Sequence, residues 1–334
     1  MTGSDLTHQL RSAVPSQAYK GLIDSVLPTL INSISDIAKS LRTSHYVSQA
    51  GSANAFGDDQ LNVDVLAENS IRDAISRSPF VVTASSEEDP VERQVVQIQE
   101  EAEAGDIPEE NYTVAFDPLD GSSIIAPNWT VGTIIGVWQG KTALGQPPAS
   151  KLVASVLGVY GPRTTVIIAL RVPGSEPACL ELGIGENGVR DGEVEVIQSA
   201  VRLSESPYKT RYFAPANLRA AADDEKYARL ITHYIQNKYT LRYSGGLVPD
   251  VVHALVKGHG IYISPVTSTS KAKLRRLYEL FPLALIIECA GGTAIDPADG
   301  TNILERPLGD LNETAGLICG TAEEVEFAKK ILLD

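Results

Sequence analysis

The sequence contains few cysteines and no uninterrupted apolar segment long enough to cross a bilayer. Cys179, Cys289 and Cys319 are odd in number and far apart. They predict neither a disulfide framework nor a zinc site, and they indicate a reducing compartment. No run approaches the roughly 20 apolar residues of a transmembrane helix. The first residues lack the apolar core of a secretory signal and hold few arginines for a transit peptide, so we expect a cytoplasmic protein.

Positive charge is also scarce, because 28 Lys and Arg face 42 Asp and Glu in 334 residues, a formal net charge of −14. A negative field of that size argues against general binding to nucleic acid or to an anionic membrane. The charge is uneven: residues 87–110 hold ten acidic residues and one arginine, whereas residues 202–276 hold thirteen basic and five acidic residues. Such zones suggest a site that joins cations to an anionic substrate, although solvated charged faces would give the same counts.

Apolar patterns indicate an α/β protein of two domains, an N-terminal α+β domain over 1–195 and a C-terminal α/β domain over 196–334. A chain of this length fits two medium domains. In the first domain, helical spacing precedes a series of β-branched strand patterns. In the second domain, strands alternate with helices, and residues 273–291 have the pattern of one helix. The helical patterns of the first domain lie at 20–42 and 63–77, and its strand patterns at 80–88, 112–123, 130–140 and 151–171.

Two of these strand patterns end in carboxylates. Asp117 and Asp120 lie on either side of a Pro-Leu pair, and Glu87 and Glu88 end an earlier strand. Mg²⁺ prefers oxygen ligands and is usually held by a few carboxylates together with substrate phosphate. Each motif alone is more often a turn or a solvated loop. Together, at two strand ends, they predict a site for two or three Mg²⁺ ions, with Mn²⁺ as a substitute.

The same segments carry a resemblance. SSEED at 85–89 followed by FDPLDGSS at 116–123 resembles the metal-dependent sugar phosphatases, the superfamily of fructose-1,6-bisphosphatase and the inositol monophosphatases. LRYSGGLVPDVVHALV at 241–256 and KAKLRRLYE at 271–279 are similar to the bisphosphatase branch, and FAPANLR at 213–219 is closer to its sedoheptulose-1,7-bisphosphatases. The resemblance implies a layered α-β-α-β-α fold, with two mixed sheets and helices between and outside them.

The resemblance also implies a ligand set and a catalytic group. The metal ligands would be Glu87, Glu88, Asp117, the Leu119 carbonyl, Asp120 and Glu279. Asp58 and Asp64 would position or activate the attacking water, with Glu88 or Asp64 as its proton acceptor. From the residues alone, a helix N-cap and a solvated loop explain the two aspartates equally well.

Phosphate recognition is implied in the same way. The substrate-binding residues would be Gly121, Ser122 and Ser123 for the reacting phosphate, and Asn217, Arg242, Tyr243, Tyr262, Lys273 and Arg275 for the sugar and the distal phosphate. Arg242 would reach into the site of a neighbouring subunit, which implies a functional homodimer or homotetramer. Surface solvation is the alternative for each basic residue, and we expect it for Arg211, Lys257 and Arg276.

Three departures from the family refine the prediction. The stretch 45–60 contains no cysteine, which excludes the redox control that chloroplast sedoheptulose bisphosphatases exert through a cysteine pair there. Ser264 and Ala220 stand where fructose-1,6-bisphosphatases have tyrosines, and no segment matches their AMP site, so we expect AMP insensitivity.

We predict Mg²⁺-dependent hydrolysis of the 1-phosphate of sedoheptulose 1,7-bisphosphate, in pentose phosphate metabolism. The alternatives are a fructose-1,6-bisphosphatase, a dual-specificity bisphosphatase and a catalytically silent sugar-phosphate sensor.

Overall fold

The computed structural model describes residues 4–14, 19–53, 59–98, 110–185, 193–268 and 270–333. Its α-helices are α1 (Leu6–Ala13), α2 (Leu27–Thr43), α3 (Asn62–Ile75), α4 (Ser122–Ile125), α5 (Pro148–Lys151), α6 (Glu225–Gln236), α7 (Leu247–Lys257), α8 (Phe281–Cys289) and α9 (Ala322–Leu333). Its strands are β1 (Ser4–Asp5), β2 (Gln49–Ala53), β3 (Asp59–Leu61), β4 (Val81–Ser86), β5 (Arg93–Gln94), β6 (Tyr112–Asp120), β7 (Val131–Gln139), β8 (Leu152–Tyr160), β9 (Thr164–Leu170), β10 (Ala178–Gly183), β11 (Glu193–Gln198), β12 (Tyr212–Pro215), β13 (Thr240–Leu241), β14 (Ile261–Ser264), β15 (Leu274–Arg275), β16 (Thr293–Ile295), β17 (Thr314–Ala315) and β18 (Leu317–Gly320).

The larger of the two main sheets has the strand order β1-β11-β10-β9-β8-β7-β6-β4-β5. Strand β4 pairs with β6 in parallel, and the other neighbours are antiparallel. All nine residues of β6 are buried, as expected for a central strand that is covered on both faces. This strand carries the predicted carboxylates at its end, so the motif begins inside the protein core.

The second sheet has the order β13-β12-β14-β18-β16. Strand β12 is parallel to β13 and β14, whereas β18 is antiparallel to β14 and β16. The described residues also form two short ribbons, β2-β3 and β15-β17. Both main sheets are therefore mixed, as predicted.

Helices cover both sheets in layers. Helices α2 and α3 pack on one face of the larger sheet, α7 and α8 lie between the sheets, and α6 and α9 pack on the outer face of the second sheet. Helix α8 reads FPLALIIEC and is buried along nearly its whole length, which suits a helix with an apolar residue on every side. The predicted α-β-α-β-α layering is confirmed.

Two predicted helices differ from the observed ones. Residues 22–26 form a π-helical turn, and α2 starts at Leu27 with Pro28 in its first turn, where the missing N–H costs nothing. Residues 273–291 were predicted as one helix, but they begin as β15 and a π-helical turn (Arg276–Leu280) before α8, which has Pro282 near its start. The division near residue 195 stays a prediction. None of the helices in the described ranges is long and apolar enough to span a membrane.

Candidate metal centre

Three carboxylates meet where the larger sheet faces the helices between the sheets. One oxygen from each of Asp117, Asp120 and Glu279 lies within 4.8 Å of the others, and all three residues are buried. Asp117 and Asp120 come from the end of β6, and Glu279 comes from the π-helical turn before α8. Buried charges of one sign are stable only when they are paired or coordinate a cation, so this cluster has the chemistry of a metal site.

Local pairing fixes the turn between the two aspartates. The pairing of β6 with β7 shifts register between Asp117 and Asp120, where Pro118 has no N–H to donate. The Leu119 N–H donates to Asp117 Oδ1 over 3.0 Å, and the Thr133 hydroxyl donates to the Pro118 carbonyl over 2.8 Å. The irregular register thus turns both carboxylates toward one place.

Asp120 also connects the sheet to helix α7. Its oxygens accept hydrogen bonds from the backbone N–H groups of Leu247 (3.2 Å) and Val248 (2.6 Å). These are the first residues of α7, whose amides have no partner within the helix. A carboxylate is favourable at this end of a helix dipole, and the contact fixes the α7 start beside the metal centre.

Glu279 is positioned by the segment that the sequence predicted as plain helix. The Arg275 N–H donates to Glu279 Oε2, and the π-helical turn places Glu279 beside Asp117. Turns of this kind occur often at functional sites. Arg276 was expected on the surface, and this expectation was wrong: its side chain is 5% exposed. It lies 3.6 Å from Asp296 and 3.7 Å from Glu313, with its guanidinium 5.3 Å from the Phe281 ring centre.

The electrostatics extend the cluster to a fourth carboxylate. Burial raises the pKa of Asp117 and of Glu279 well above the usual range, and the nearby Glu87 raises both further. Burial raises the pKa of Asp120 to about 6, although the two α7 amides act in the opposite direction. The charges of these four carboxyls therefore affect one another. A cation bound among them would lower their pKa values and favour the ionised forms.

Glu87 and Glu88 follow β4 at its carboxyl end. The Glu87 N–H donates to the Phe116 carbonyl over 3.0 Å, which continues the parallel pairing of β4 with β6. Both glutamates are half-buried, and Arg275 Nε lies 3.8 Å from Glu87 Oε1. The two strand ends thus lie side by side, as the sequence motifs suggested.

Helix α3 supplies two further acids. Asp64 is buried, its Oδ2 accepts from the Leu61 N–H over 2.8 Å, and its Oδ1 has no hydrogen-bond partner within the described part of the chain. Burial raises the pKa of Asp64 to about 6. Asp58 lies outside the described residues. Glu68, one helical turn after Asp64, was not predicted, although its spacing to Asp64 and to Arg72 places all three on one helix face.

The start of α4 lies directly after the Asp120 turn. Gly121, the residue before α4, has a φ of 99°, a conformation that favours glycine, and Ser122 and Ser123 are exposed. These three residues therefore lie next to Asp120, where the sequence placed the reacting phosphate.

Arg242 and Tyr243 line a cleft of about 670 Å³ that also includes Trp129, Asp250 and His253. The loop after them is fixed by Asp250, which accepts hydrogen bonds from the Ser244 N–H (2.6 Å) and hydroxyl (2.7 Å). Asp250 was not singled out in the sequence, although it belongs to the same LRYSGGLVPDV segment.

The remaining predicted substrate residues occupy different environments. Lys273 is exposed, and the Asn217 amide donates to the Ser270 hydroxyl. Tyr262 is 5% exposed on β14 in the core between the sheets, so it lies beneath the surface of the site. Ala220 packs in the outer core of the second sheet, whereas Ser264 is half-buried at the end of β14.

Two family models match the chain. Fructose-1-6-bisphosphatase, N-terminal domain, matches residues 5–189, and Fructose-1-6-bisphosphatase, C-terminal domain, matches residues 206–333. The chloroplastic sedoheptulose-1,7-bisphosphatase of Spinacia oleracea is 39% identical over 84% of this chain, which spans only 66% of that relative. The corresponding protein of Triticum aestivum is 37% identical over 97% of this chain and 75% of its own length. A crystal structure from Toxoplasma gondii, given the provisional name sedoheptulose-1,7 bisphosphatase, is 31% identical with a TM-score of 0.82 and covers 98% of both chains.

Proposed function

The chain belongs to the fructose-1,6-bisphosphatase family, and from this premise we propose that it hydrolyses the 1-phosphate of sedoheptulose 1,7-bisphosphate to give sedoheptulose 7-phosphate and phosphate. Members of this family are sugar bisphosphatases, a class of phosphoric monoester hydrolases. The observation that carries the proposal is the buried Asp117, Asp120 and Glu279 cluster, because it provides the charge that a metal-dependent phosphatase needs.

The cluster fits Mg²⁺. Every proposed donor is an oxygen atom, and Mg²⁺ is selective for such ligands. Ionised Asp117 and Glu279 would be costly in this buried position without a cation. The residues that would hold two or three ions are Glu87, Glu88, Asp117, the Leu119 carbonyl, Asp120 and Glu279. Bound Mg²⁺ would lower the pKa of a water and neutralise charge on the transferred phosphate.

Asp64 is the proposed proton acceptor for the attacking water. Its raised pKa of about 6 lies close to neutral pH, where a general base combines sufficient basicity with the ionised form. Its Oδ2 is fixed by the Leu61 N–H, which leaves Oδ1 to accept the proton. Glu88 is the alternative acceptor, and Asp58 is proposed to assist in positioning the water.

The substrate would lie between the α4 start and the cleft of Arg242. The backbone amides and hydroxyls of Gly121, Ser122 and Ser123 would bind the reacting phosphate, because the first amides of a helix suit an anion. Arg242, Tyr243, Lys273 and Asn217 would bind the distal phosphate, and Arg275 would add positive potential. Tyr262 would act from beneath, by shaping the floor of the site.

Two observations favour the seven-carbon sugar. The relatives with 37–39% identity are named sedoheptulose-1,7-bisphosphatases. Ser264, where fructose-1,6-bisphosphatases have a tyrosine, is a small residue at the carboxyl end of β14. Ala220 lies in the outer core, so only Ser264 is proposed to make room for the longer substrate. Cytoplasmic location, homo-oligomer assembly and AMP insensitivity stay predictions.

The test is phosphate release from sedoheptulose 1,7-bisphosphate, fructose 1,6-bisphosphate and inositol monophosphate, each with and without Mg²⁺. We expect the highest kcat/KM on the sedoheptulose compound and dependence on Mg²⁺. An equal or higher value on fructose 1,6-bisphosphate would overturn the substrate assignment, and turnover without a divalent cation would overturn the mechanism. Binding without any turnover would identify the silent sensor.

A further inference from the structure

Ser86, the last residue of β4, connects the Glu87–Glu88 pair to helix α3. Its buried hydroxyl donates to Glu68 Oε1 over 2.9 Å and accepts from the Asp89 N–H over 3.0 Å. The Ser86 N–H in turn donates to the Asp89 carbonyl over 3.2 Å. The two glutamates thus lie in a turn that is closed at both ends by Ser86 and Asp89, and Glu68 fixes the hydroxyl that closes it.

Arg72 balances the charge of this arrangement. Its Nε lies 2.5 Å from Glu68 Oε1, and its Nη2 lies 3.6 Å from Asp89 Oδ2. The Glu68 side chain is only 13% exposed, so its carboxylate needs this partner. The Arg72 guanidinium also lies 5.8 Å from the Phe116 ring centre, which ties the network to the residue just before Asp117.

Helix α3 therefore contributes to two parts of the site, since it carries Asp64 and it contacts the Glu87–Glu88 turn through Glu68. Asp64 and Glu68 are four residues apart and lie on one face of the helix. The carboxyl groups of Glu68 and Glu88 are close enough for their charges to repel each other. A shift of α3 would move the proposed proton acceptor and the Glu87–Glu88 turn together.

We propose that Glu68 is a positioning residue that holds the Glu87–Glu88 turn in the geometry that binds a divalent cation. The inference rests on the proposed function, because it assumes that this turn supplies metal ligands. Groups that orient metal ligands from behind typically change metal affinity by about 10–100-fold when they are removed. Glu68 would act on the metal through Ser86 and without contact to the substrate.

The experiment measures Mn²⁺ binding to the whole chain by electron paramagnetic resonance, which needs no turnover. The variants are E68A, E68Q, S86A and the double variant E68A/S86A, with D73N as a matched control. Asp73 is an exposed acid on the same helix, so D73N removes an equal charge away from the turn. We expect E68A and S86A each to weaken Mn²⁺ binding by about tenfold or more. The double variant should lose no more than the larger single loss, because both residues act in one network. E68Q can still accept from Ser86 and should lose less.

The outcomes separate this inference from the proposed function. E68A that melts at a lower temperature but binds Mn²⁺ as tightly as the wild type would show a purely structural role and overturn the inference. If E68A does not fold, wild-type affinity in both S86A and E68Q would overturn it. A wild type that binds no Mn²⁺ would overturn both proposals. A wild type that binds Mn²⁺ but hydrolyses no sugar bisphosphate would overturn the proposed function alone, and the variant affinities would still decide the role of Glu68.

Discussion

The Val248 N–H donates to Asp120 Oδ2 over 2.6 Å, and this bond links the end of the central strand to the first turn of α7. The Leu247 N–H donates to the other oxygen of the same carboxylate. Asp120 therefore has two roles, as a candidate metal ligand and as the acceptor for a helix start. Substitutions that preserve one role and remove the other can separate them.

Asp120→Asn preserves the shape of the side chain and removes its charge. The amide oxygen can still accept one α7 N–H, so we expect the fold to be retained, while kcat falls by about 100-fold or more because a charged ligand is lost. Removal of the buried charge favours the folded state, but the Asn amide nitrogen would face an α7 N–H from which it cannot accept a hydrogen bond. Because these two effects oppose each other, we expect only a small change in the melting temperature of the metal-free protein. The measurements are phosphate release and thermal unfolding without metal. D299N, at an exposed acid, is the control, and substantial residual activity in D120N would count against the metal assignment.

The raised carboxyl pKa values predict how pH affects the metal-free protein. Asp64 and Asp120 have a pKa of about 6, and the pKa values of Asp117 and Glu279 are raised well above their usual range. A folded state with raised acid pKa values binds more protons than the unfolded chain, so these groups favour folding at low pH. The stability that these groups contribute is lost as the pH rises from about 4, the pKa of an aspartate in the unfolded chain, through the raised pKa values of the folded state.

Mg²⁺ should reverse this loss, because a bound ligand stabilises the folded state and the ionised carboxylates bind it. We expect the increase in melting temperature on addition of Mg²⁺ to be larger at pH 7.5 than at pH 5.5. D117N should reduce the difference between the two pH values. An increase that is the same at both pH values would show that the cluster does not bind the ion as proposed.

Some of this site could be predicted from the sequence and some could not. Asp117 and Asp120 lie three residues apart in one motif, so a strand that ends there brings them together. Glu279 is more than 150 residues later in the chain, and only the family resemblance assigned it. Arg275 and Arg276 are adjacent arginines, and the sequence pattern does not distinguish them. Only the structure shows that the π-helical turn buries Arg276 between Asp296 and Glu313. Glu68 and Arg72 look like an ordinary helix ion pair until Ser86 is seen beside them.

Arg276 provides a stability test that is independent of catalysis. Arg276 and Arg306 each lie 3.6 Å from Asp296 Oδ2, but the Arg276 side chain is 5% exposed and the Arg306 side chain 53%. Removal of one member of a buried ion pair costs about 3–5 kcal/mol, whereas an exposed pair contributes about 0–1 kcal/mol. We therefore expect R276M to lower the free energy of unfolding by about 3 kcal/mol and R306M by less than about 1 kcal/mol. Urea unfolding of both variants tests this, and equal losses would contradict the assigned burial.

We expect Arg242 to connect oligomer assembly with activity, because the family resemblance implies that it reaches into the site of a neighbouring subunit. It is exposed at the rim of the cleft, where its Nη1 donates to the Leu241 carbonyl over 2.8 Å. If it binds the distal phosphate, R242A should raise KM by about tenfold or more, since hydrogen bonds between charged groups contribute about 1.5–3 kcal/mol. R229A, at an exposed arginine on α6, is the control and should leave KM unchanged. The melting temperature of both variants should match the wild type.

A mixed oligomer shows whether Arg242 acts on its own site or on a neighbour's. A purified dimer of one D120N subunit and one R242A subunit, carrying different tags, has a single site with an intact Asp120, in the R242A subunit. If Arg242 reaches across the interface, that site receives the arginine of the D120N subunit, and the dimer should recover half of the wild-type activity with wild-type KM. If Arg242 acts within its own subunit, that site lacks it, and KM stays at the raised R242A value. Phosphate release at substrate concentrations near the wild-type KM separates the two results, and the raised KM would remove the functional reason for assembly.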